Sequence, residues 1–473
     1  MTSPLISQFH DHPEAMNTLS SETLFDLDWA EVRELQFHLM KRRFEEMRPR
    51  IRVLDRLAED LAIDSFARPE DATPLFLPHT MYKSYAASSI EKGNYEKMTK
   101  WLSGLTPHDL SQVDTSACDS LETWLDTLEA NTPLRPICSS GTSGKISVFP
   151  RGQREADYKL NNFLQVHSGY RSEPDSGLTT GEVEYFCPWP VATGRHNMPA
   201  HFKALRETVF ARHPERMHIL GKGHWDVDML WLSGRLRAAE AKGELGALKL
   251  TPALERIRDK LKIQQAGAQE DVEAFIEELF VGARGKRIFL QCPYGQMIPL
   301  AQEAKKRGLT AQFDANSYIL AGGRSGSKGT VFPDDWFEQC KAAFDFPYQE
   351  TYGMTESTGS ARLCAGGHFH VSPWVAIFQL DPDTSAPLAQ QGTQTGRLAL
   401  FDTLPTSYWG GLITGDRVTI NWDGGCSCGR NGPYVHNDVV RYSNLRDDDK
   451  VTCSKSPDAY EKAVELALGV IAD

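Results

Sequence analysis

The sequence predicts an α/β protein built in several lobes, and three observations carry that reading. From about residue 183 to residue 321, short apolar runs alternate with amphipathic stretches, as strands and helices do in βα units. Beyond about residue 368 the text becomes a series of strands separated by Pro, Gly and Asp clusters. With 473 residues, 40% of them hydrophobic, the chain is long enough to bury cores in two or three lobes.

The elements follow in order. The first twenty residues lack periodicity and read as mobile, whereas residues 28 to 63 carry Val32, Leu35, Leu39, Phe44 and Met47 at helical spacing. The run Pro74-Leu75-Phe76-Leu77-Pro78 interrupts the pattern before another helix around Leu121 to Leu128. Val183 to Phe186 and Met217 to Leu220 read as strands, His201 to Phe210 and Asp271 to Leu279 as helices. Arg287 to Gln291 reads as a buried strand, Cys292-Pro293-Tyr294-Gly295 as its exit turn, and Met297 to Arg307 as a helix. Tyr318 to Ala321 is a strand ending in Gly322-Gly323-Arg324. Val375 to Leu380, Gly396 to Phe401 and Arg417 to Asn421 are the later strands. A last helix is expected from Ser456, as N-cap, and Pro457 through Ile471.

Bulk properties narrow the partners. A formal net charge of -12 argues against nucleic acid or an anionic membrane and favours a small-molecule ligand. No apolar run is long enough to span a bilayer, and Met1 to Pro4 lead into polar sequence, so the protein is expected to be cytoplasmic. Nine cysteines, an odd number scattered over a long chain, suggest thiols or metal ligands, not a disulfide framework.

The stretch Ser139-Ser140-Gly141-Thr142-Ser143-Gly144-Lys145 carries most of the chemistry. Its glycines let backbone N–H groups approach an anion, its hydroxyls add donors, and Lys145 supplies a point charge, the three requirements of a phosphate cradle. It is not a Walker loop, because Ser139 takes the first glycine position and Ile146 follows the lysine. Nor does the spacing of Gly141 and Gly144 give a dinucleotide fingerprint. By composition alone, a plain connector remains an equal reading.

Three further segments follow it: Tyr352-Gly353-Met354-Thr355-Glu356, Ile413-Thr414-Gly415-Asp416, and Arg446 with Asp448 and Asp449. In this order the four resemble the motif series of the adenylate-forming superfamily, which includes acyl-CoA synthetases, peptide-synthetase adenylation domains and firefly-type luciferases. The resemblance covers about residues 130 to 460. It implies a large multi-lobed core that binds ATP and Mg²⁺ and activates a carboxylic acid as an acyl-adenylate, releasing pyrophosphate.

Residue by residue, the resemblance implies that Ser139 to Lys145 clamp the β- and γ-phosphates. It makes Thr355 a donor to the α-phosphate and Glu356 the Mg²⁺ ligand, a role that suits a carboxylate. Tyr352 would face adenine, Gly322, Gly323, Arg324 and Gly353 would flank the nucleotide, Asp416 would accept the ribose hydroxyls, and Arg446 would sit at the hinge. Read without the resemblance, Tyr352 is a core aromatic, Asp416 a turn residue and Glu356 a helix N-terminal acid. Trp189 and Tyr294 are candidates for the acyl pocket that would suit a ring or short apolar substrate, while Arg195, His196 and Arg324 could meet a polar substituent, and an aryl or other small acid is expected; each of these residues reads more readily as a packing residue.

Cys426-Ser427-Cys428-Gly429-Arg430 resembles a segment of phenylacetate:CoA ligases. With Cys364 and His370 upstream, Cys426 and Cys428 form a soft set suited to tetrahedral structural zinc; His368 is the rival histidine, and two buried cysteines beside a surface histidine are the alternative.

Two departures qualify the resemblance. Leu445 stands where the hinge normally has glycine, and Lys450 to Asp473 correspond to only the start of the mobile C-terminal domain that ordinarily supplies an adenylation lysine. The acyl-protein synthetase of bacterial bioluminescence and the plant auxin-conjugating amido synthetases look similar through Gly396 to Asp402 and Ile413 to Asp416. The expected division is therefore 1–130, helical entry and first part of the core; 131–367, the ATP-binding and acyl-pocket core; 368–445, a β-rich subdomain; and 446–473, a remnant of the C-terminal domain. The acceptor is a thiol or an amine, with a carrier protein or CoA left open. A catalytically weak nucleotide-binding partner protein, or one subunit of a split ligase, is the alternative function.

Overall fold

The computed structural model describes residues 3–139, 145–243, 255, 259, 267–323 and 332–445. The helix expected from Ser456 to Ile471 lies outside them. The chain divides into two compact units: Met1–Ser139, Ser147–Gln165 and Gly353–Asp473 form the first, and Ser140–Ile146 and Val166–Tyr352 the second.

In the first unit a long helix, Trp29–Met47, starts where the Asp28 carboxylate accepts from the N–H of Glu31 at 3.1 Å. Val32, Leu35, Leu39, Met40, Phe44 and Met47 repeat at three and four residues and are buried. The side chain of Gln36, on the same face, donates to the carbonyl of Pro373 at 2.7 Å. The β-rich part is a sheet in the antiparallel order His368–Phe369, Tyr434–His436, Gly411–Asn421, Thr393–Asp402, Val375–Leu380, with Leu77–Pro78 pairing parallel and Val440–Arg441 antiparallel along Gly411–Asn421. The pairing Val375↔Asp402 through Leu380↔Arg397 buries the whole of Val375–Leu380, so that strand reads as an unbroken apolar run with one polar exception, Gln379. Gln379 satisfies itself by donating to the carbonyls of Gln394 and Val418.

The second unit is a doubly covered parallel sheet in the order Tyr348–Gly353, Tyr318–Ala321, Ile288–Gln291, Glu184–Cys187, Met217–Ile219. Parallel neighbours need crossovers, and the helices Asn197–Glu207, Tyr294–Arg307 and Trp336–Ala343 supply them. Tyr318–Ala321 is buried at every position. Ile276, Leu279, Phe280, Ile288, Leu290, Met297, Ala301, Ile319 and Phe344 make one apolar core between sheet and helices.

Two expectations are corrected. Residues 3–20 are ordered: Ser3 caps the helix Pro4–Asp11 by accepting from the N–H of Ile6, and Ile6, Phe9 and Met16 are buried. The helix expected from Met297 begins at Tyr294, because Pro293 serves as its N-cap position and so acts as a helix start where it reads as a turn.

Candidate functional site

In open parallel sheets, ligands bind beyond the carboxyl ends of the strands. In the second unit that edge carries the expected segments: Tyr352 lies near the end of Tyr348–Gly353, Gly322-Gly323 follow the neighbouring Tyr318–Ala321, and Trp189 follows Glu184–Cys187, one strand further on beyond Ile288–Gln291. Gly322 is fixed from below, its carbonyl accepting the N–H of Tyr294 at 3.0 Å, and Gly323 adopts φ +74°. Trp189 stacks on His196 with centroids 5.4 Å apart, and Trp225 meets His196 edge-on at 6.5 Å. A short parallel pairing of Thr193–Gly194 with His224–Trp225 brings these rings together; Gly194, at φ +137°, is needed there because a Cβ would lie 2.4 Å from the carbonyl oxygen of Trp225. The N–H of Met198 donates to His196 Nδ1 at 3.3 Å, and burial pushes the imidazole down to about 4. Tyr294 is fully buried, donates to the Glu350 carboxylate at 3.0 Å and packs against Trp336, so its place is accounted for by core packing.

Lys145 also belongs to the second unit and is half-buried, with burial drawing its ammonium below the ordinary lysine value. Ser139 belongs to the first, where its hydroxyl accepts from the N–H of Ser147 at 3.0 Å while its own N–H donates to the Ser147 carbonyl. That exchange extends the pairing of Ile137–Cys138 with Val148–Phe149 and closes the neck of the loop. Ser140, Gly141, Thr142, Ser143, Gly144, Arg324 and Arg446 lie outside the described residues.

Gly353, Thr355, Glu356 and Asp416 fall in the first unit. Residues 354–359 form an irregular turn after Tyr348–Gly353, not a helix N-terminus. The turn is held by groups that the sequence does not advertise. Arg151 donates to the carbonyl of Thr355, and Lys159 to the carbonyls of Met354 and, at 3.1 Å, Ser357. On the other side Asp402 Oδ2 accepts from the N–H of Thr358 at 2.6 Å, its hydroxyl at 2.8 Å and the Ser357 hydroxyl at 3.1 Å. Burial raises the carboxyl of Asp402 and lowers Arg151; it lowers Lys159 far below the usual lysine range. Glu356 is half-buried on this turn and interacts electrostatically with Tyr82, Arg151 and Lys159. A half-buried carboxylate on a fixed turn fits a hard cation such as Mg²⁺, which keeps waters and phosphate oxygens in its shell.

Asp416 lies within the strand Gly411–Asn421 and not in a turn. Its register partner Arg441 makes an ion pair at 3.1 Å, and Thr414 Oγ1 accepts from its N–H.

The soft ligands converge. One ligand atom each from Cys364, His370, Cys426 and Cys428 lies within 4.8 Å of the others. Cys364 and Cys426 have their sulfurs 3.7 Å apart, and Cys428 Sγ is 3.3 Å from His370 Nε2. Tetrahedral zinc with bonds of about 2.3 Å to sulfur spaces its ligands at about 3.8 Å, close to the Cys364–Cys426 separation of 3.7 Å, so the chemistry and grouping of the set fit that ion. Hydrogen bonds from Cys364 and His370 pull Cys428 toward the thiolate. The histidine of the set is His370; His368 instead stacks on Tyr434 at 4.4 Å. Gly366 makes room, because a Cβ there would sit 2.7 Å from Cys426 Sγ.

By sequence, no family model and no curated protein matches the chain. Solved structures do. A 2-hydroxyisobutyryl-CoA ligase in an open conformation, in complex with 2-HIB-AMP and CoA, superposes with a TM-score of 0.52 at 11% identity, over 88% of this chain and 70% of that one. ATP-bound MatB from Rhodopseudomonas palustris gives a TM-score of 0.35 at 15% identity, over 65% of this chain and 47% of that one. An amide bond synthetase from Marinactinospora thermotolerans gives 0.29 at 12%, over 61% and 46%. The chain thus spans about half the length of the latter two. No helix among the described residues is long and apolar enough to cross a membrane. The superposition on the 2-hydroxyisobutyryl-CoA ligase shows the fold: a mixed α/β architecture resembling the core of adenylate-forming ligases.

Proposed function

We propose that this chain activates a small carboxylic acid, an aryl acid by preference, as an acyl-adenylate with release of pyrophosphate, and passes the acyl group to a thiol or amine acceptor. The observation that carries the reading is the alignment of Trp189, Gly322-Gly323 and Tyr352 along the carboxyl edge of one parallel sheet, within a fold shared with an acyl-CoA ligase.

In this reading Ser139 to Lys145 hold the β- and γ-phosphates, with Lys145 neutralising charge as pyrophosphate departs. Gly322, Gly323, Arg324, Tyr352 and Gly353 receive the adenine end, and Asp416 the ribose. Thr355 donates to the α-phosphate, and Glu356 holds Mg²⁺, which supplies charge neutralisation at the phosphate oxygens. The reacting carboxylate needs to be positioned in line with the α-phosphorus; proximity of this kind replaces covalent chemistry by the protein. Trp189 and His196 give the acyl end a flat wall, with Tyr294 supporting it from the core, and Arg446 belongs to the hinge. The ring of His196 is neutral at pH 7, which favours an uncharged aromatic group beside it. Cys364, His370, Cys426 and Cys428 would hold a structural zinc with no open position, and their Cys-x-Cys-Gly-Arg segment supports the phenylacetate:CoA ligase-like branch.

Carboxylate-dependent exchange of labelled pyrophosphate into ATP tests the proposal. Exchange is expected with at least one small aryl acid and is expected to fall by about a hundredfold or more in Glu356→Ala. A broad panel of acids giving no exchange above a blank refutes it.

A further inference from the structure

We infer that Lys159 and Arg151 are positioning residues that fix the Thr355–Glu356 turn by holding its backbone carbonyls, so that Thr355 and Glu356 meet a magnesium–nucleotide already arranged. This rests on the proposed adenylation.

The turn at 354–359 makes no regular ladder, so its carbonyls need partners from elsewhere. They receive two cations: Lys159 binds the carbonyls of Met354 and Ser357, and Arg151 that of Thr355. Thus three of the four carbonyls from Met354 to Ser357, on either side of Glu356, are taken by side chains from one stretch of chain, and charge-assisted bonds of this kind are stronger than neutral ones. Asn162, three residues beyond Lys159 on the helix Gln153–His167, accepts from the N–H and hydroxyl of Ser360 at 2.7 and 2.6 Å. Asp402 accepts from the N–H and hydroxyl of Thr358 and from the hydroxyl of Ser357. The turn is therefore clamped by cations on its carbonyls and by an anion on its donors.

This clamp is a costly device. Arg151 is 3% exposed, and burial opposes the charge on both cations, whereas an apolar filling of the same space is often as stable or more so. What apolar packing does not provide is a fixed orientation for three carbonyls. Preorganised groups avoid reorganisation when charge develops during reaction, and a turn bearing a metal ligand benefits most from that. Neither residue is required to touch the nucleotide; each acts through the backbone of residues 354–357.

The test compares wild-type protein with Lys159→Gln and Lys159→Arg. Gln keeps a donor but removes the charge, and Arg keeps both. The readouts are the Mg²⁺ concentration for half-maximal carboxylate-dependent pyrophosphate exchange, the KM for the acid, and thermal unfolding. In Lys159→Gln the Mg²⁺ requirement is expected to rise by about tenfold and the exchange rate to fall, with the KM for the acid within about twofold of wild type. Lys159→Arg is expected to restore most of the Mg²⁺ affinity. A folded Lys159→Gln protein whose Mg²⁺ requirement is unchanged overturns the positioning role alone. If Lys159→Gln does not fold, Arg151→Lys is made as a third variant, which keeps the charge but loses the guanidinium geometry that holds the Thr355 carbonyl, and it decides: a raised Mg²⁺ requirement with little loss of thermal stability supports the role, and an unchanged requirement, or one that moves only with lost stability, assigns both residues to folding only. Wild-type protein that neither exchanges pyrophosphate nor binds Mg²⁺–ATP removes the functional reading and this inference with it.

Discussion

Asp416 and Arg441 form an ion pair at 3.1 Å from directly opposed positions of two antiparallel strands. The two ends differ in environment: the Asp416 side chain is 7% exposed and that of Arg441 58%. An exposed partner contributes little, because water screens the attraction and the arginine gives up side-chain freedom to make it. Arg441→Ala is therefore expected to change stability by less than about 1 kcal/mol in urea unfolding. Asp416→Ala should instead weaken ATP binding by about tenfold or more if its carboxylate receives the ribose. Equal effects of the two substitutions on ATP affinity, measured calorimetrically, would contradict that assignment.

His196 links stability to pH. Its folded-state value of about 4 lies below the ordinary 6.5, so between these values the unfolded chain binds more protons than the folded one. Stability must then rise with pH across that window, and His196 costs nothing above about 6.5. The full shift corresponds to about 3 kcal/mol, an upper figure for a residue that keeps 8% of its surface exposed. Urea midpoints measured at pH 4.5 and 7 should lie closer together in His196→Gln than in wild type. An unchanged gap would mean that His196 protonates freely in the folded state.

Metal removal gives a third expectation. Purified protein should carry close to one zinc per chain, and a strong chelator should lower its melting temperature by at least about 5 °C, since a ligand that binds only the folded form stabilises it. Gly366→Ala reaches the same site without deleting a ligand, since its Cβ would press within 2.7 Å of Cys426 Sγ. It is expected to lower zinc content in elemental analysis. Full zinc occupancy in that variant, or none in wild type, would count against the assignment.

How much of this could be read from the sequence depends on whether a residue's role is written in its own type or in its neighbours. Trp29–Met47 was legible because its apolar residues keep helical period over five turns, and Val375–Leu380 because a strand buried on both faces is apolar at all but one position, Gln379. Cys364, His370, Cys426 and Cys428 were legible as a ligand set because few residue types bind soft metals, and of the two rival histidines it is His370, the one named for the set, that lies with the three sulfurs. Pro4–Asp11 is too short to display a period, and its burial is decided by the surface it packs on. Lys159 was invisible for a different reason. A lysine in a polar-faced helix reads as solvated, and nothing local marks this one as bound to carbonyls 195 and 198 residues away.

Glu155 poses the same difficulty and yields the strongest stability prediction. It is fully buried, and its carboxylate accepts from the N–H groups of Thr406 at 2.7 Å, Ser407 at 3.0 Å and Gly152 at 2.8 Å, and from the Ser407 hydroxyl at 3.1 Å. It also interacts electrostatically with Arg151, favouring the charged guanidinium. Removing it strands several buried donors and leaves Arg151 with less compensating charge, so Glu155→Ala should cost about 3–5 kcal/mol. Glu155→Gln keeps one acceptor oxygen but turns an amide N–H₂ toward groups that themselves donate, and should cost about half as much. Because Arg151 holds the carbonyl of Thr355, the loss should propagate: in the folded fraction of Glu155→Gln, the Mg²⁺ requirement for pyrophosphate exchange should move in the same direction as in Lys159→Gln. A large loss of stability with no change in Mg²⁺ requirement would confine Glu155 to holding Gly152 and residues 406–407 together.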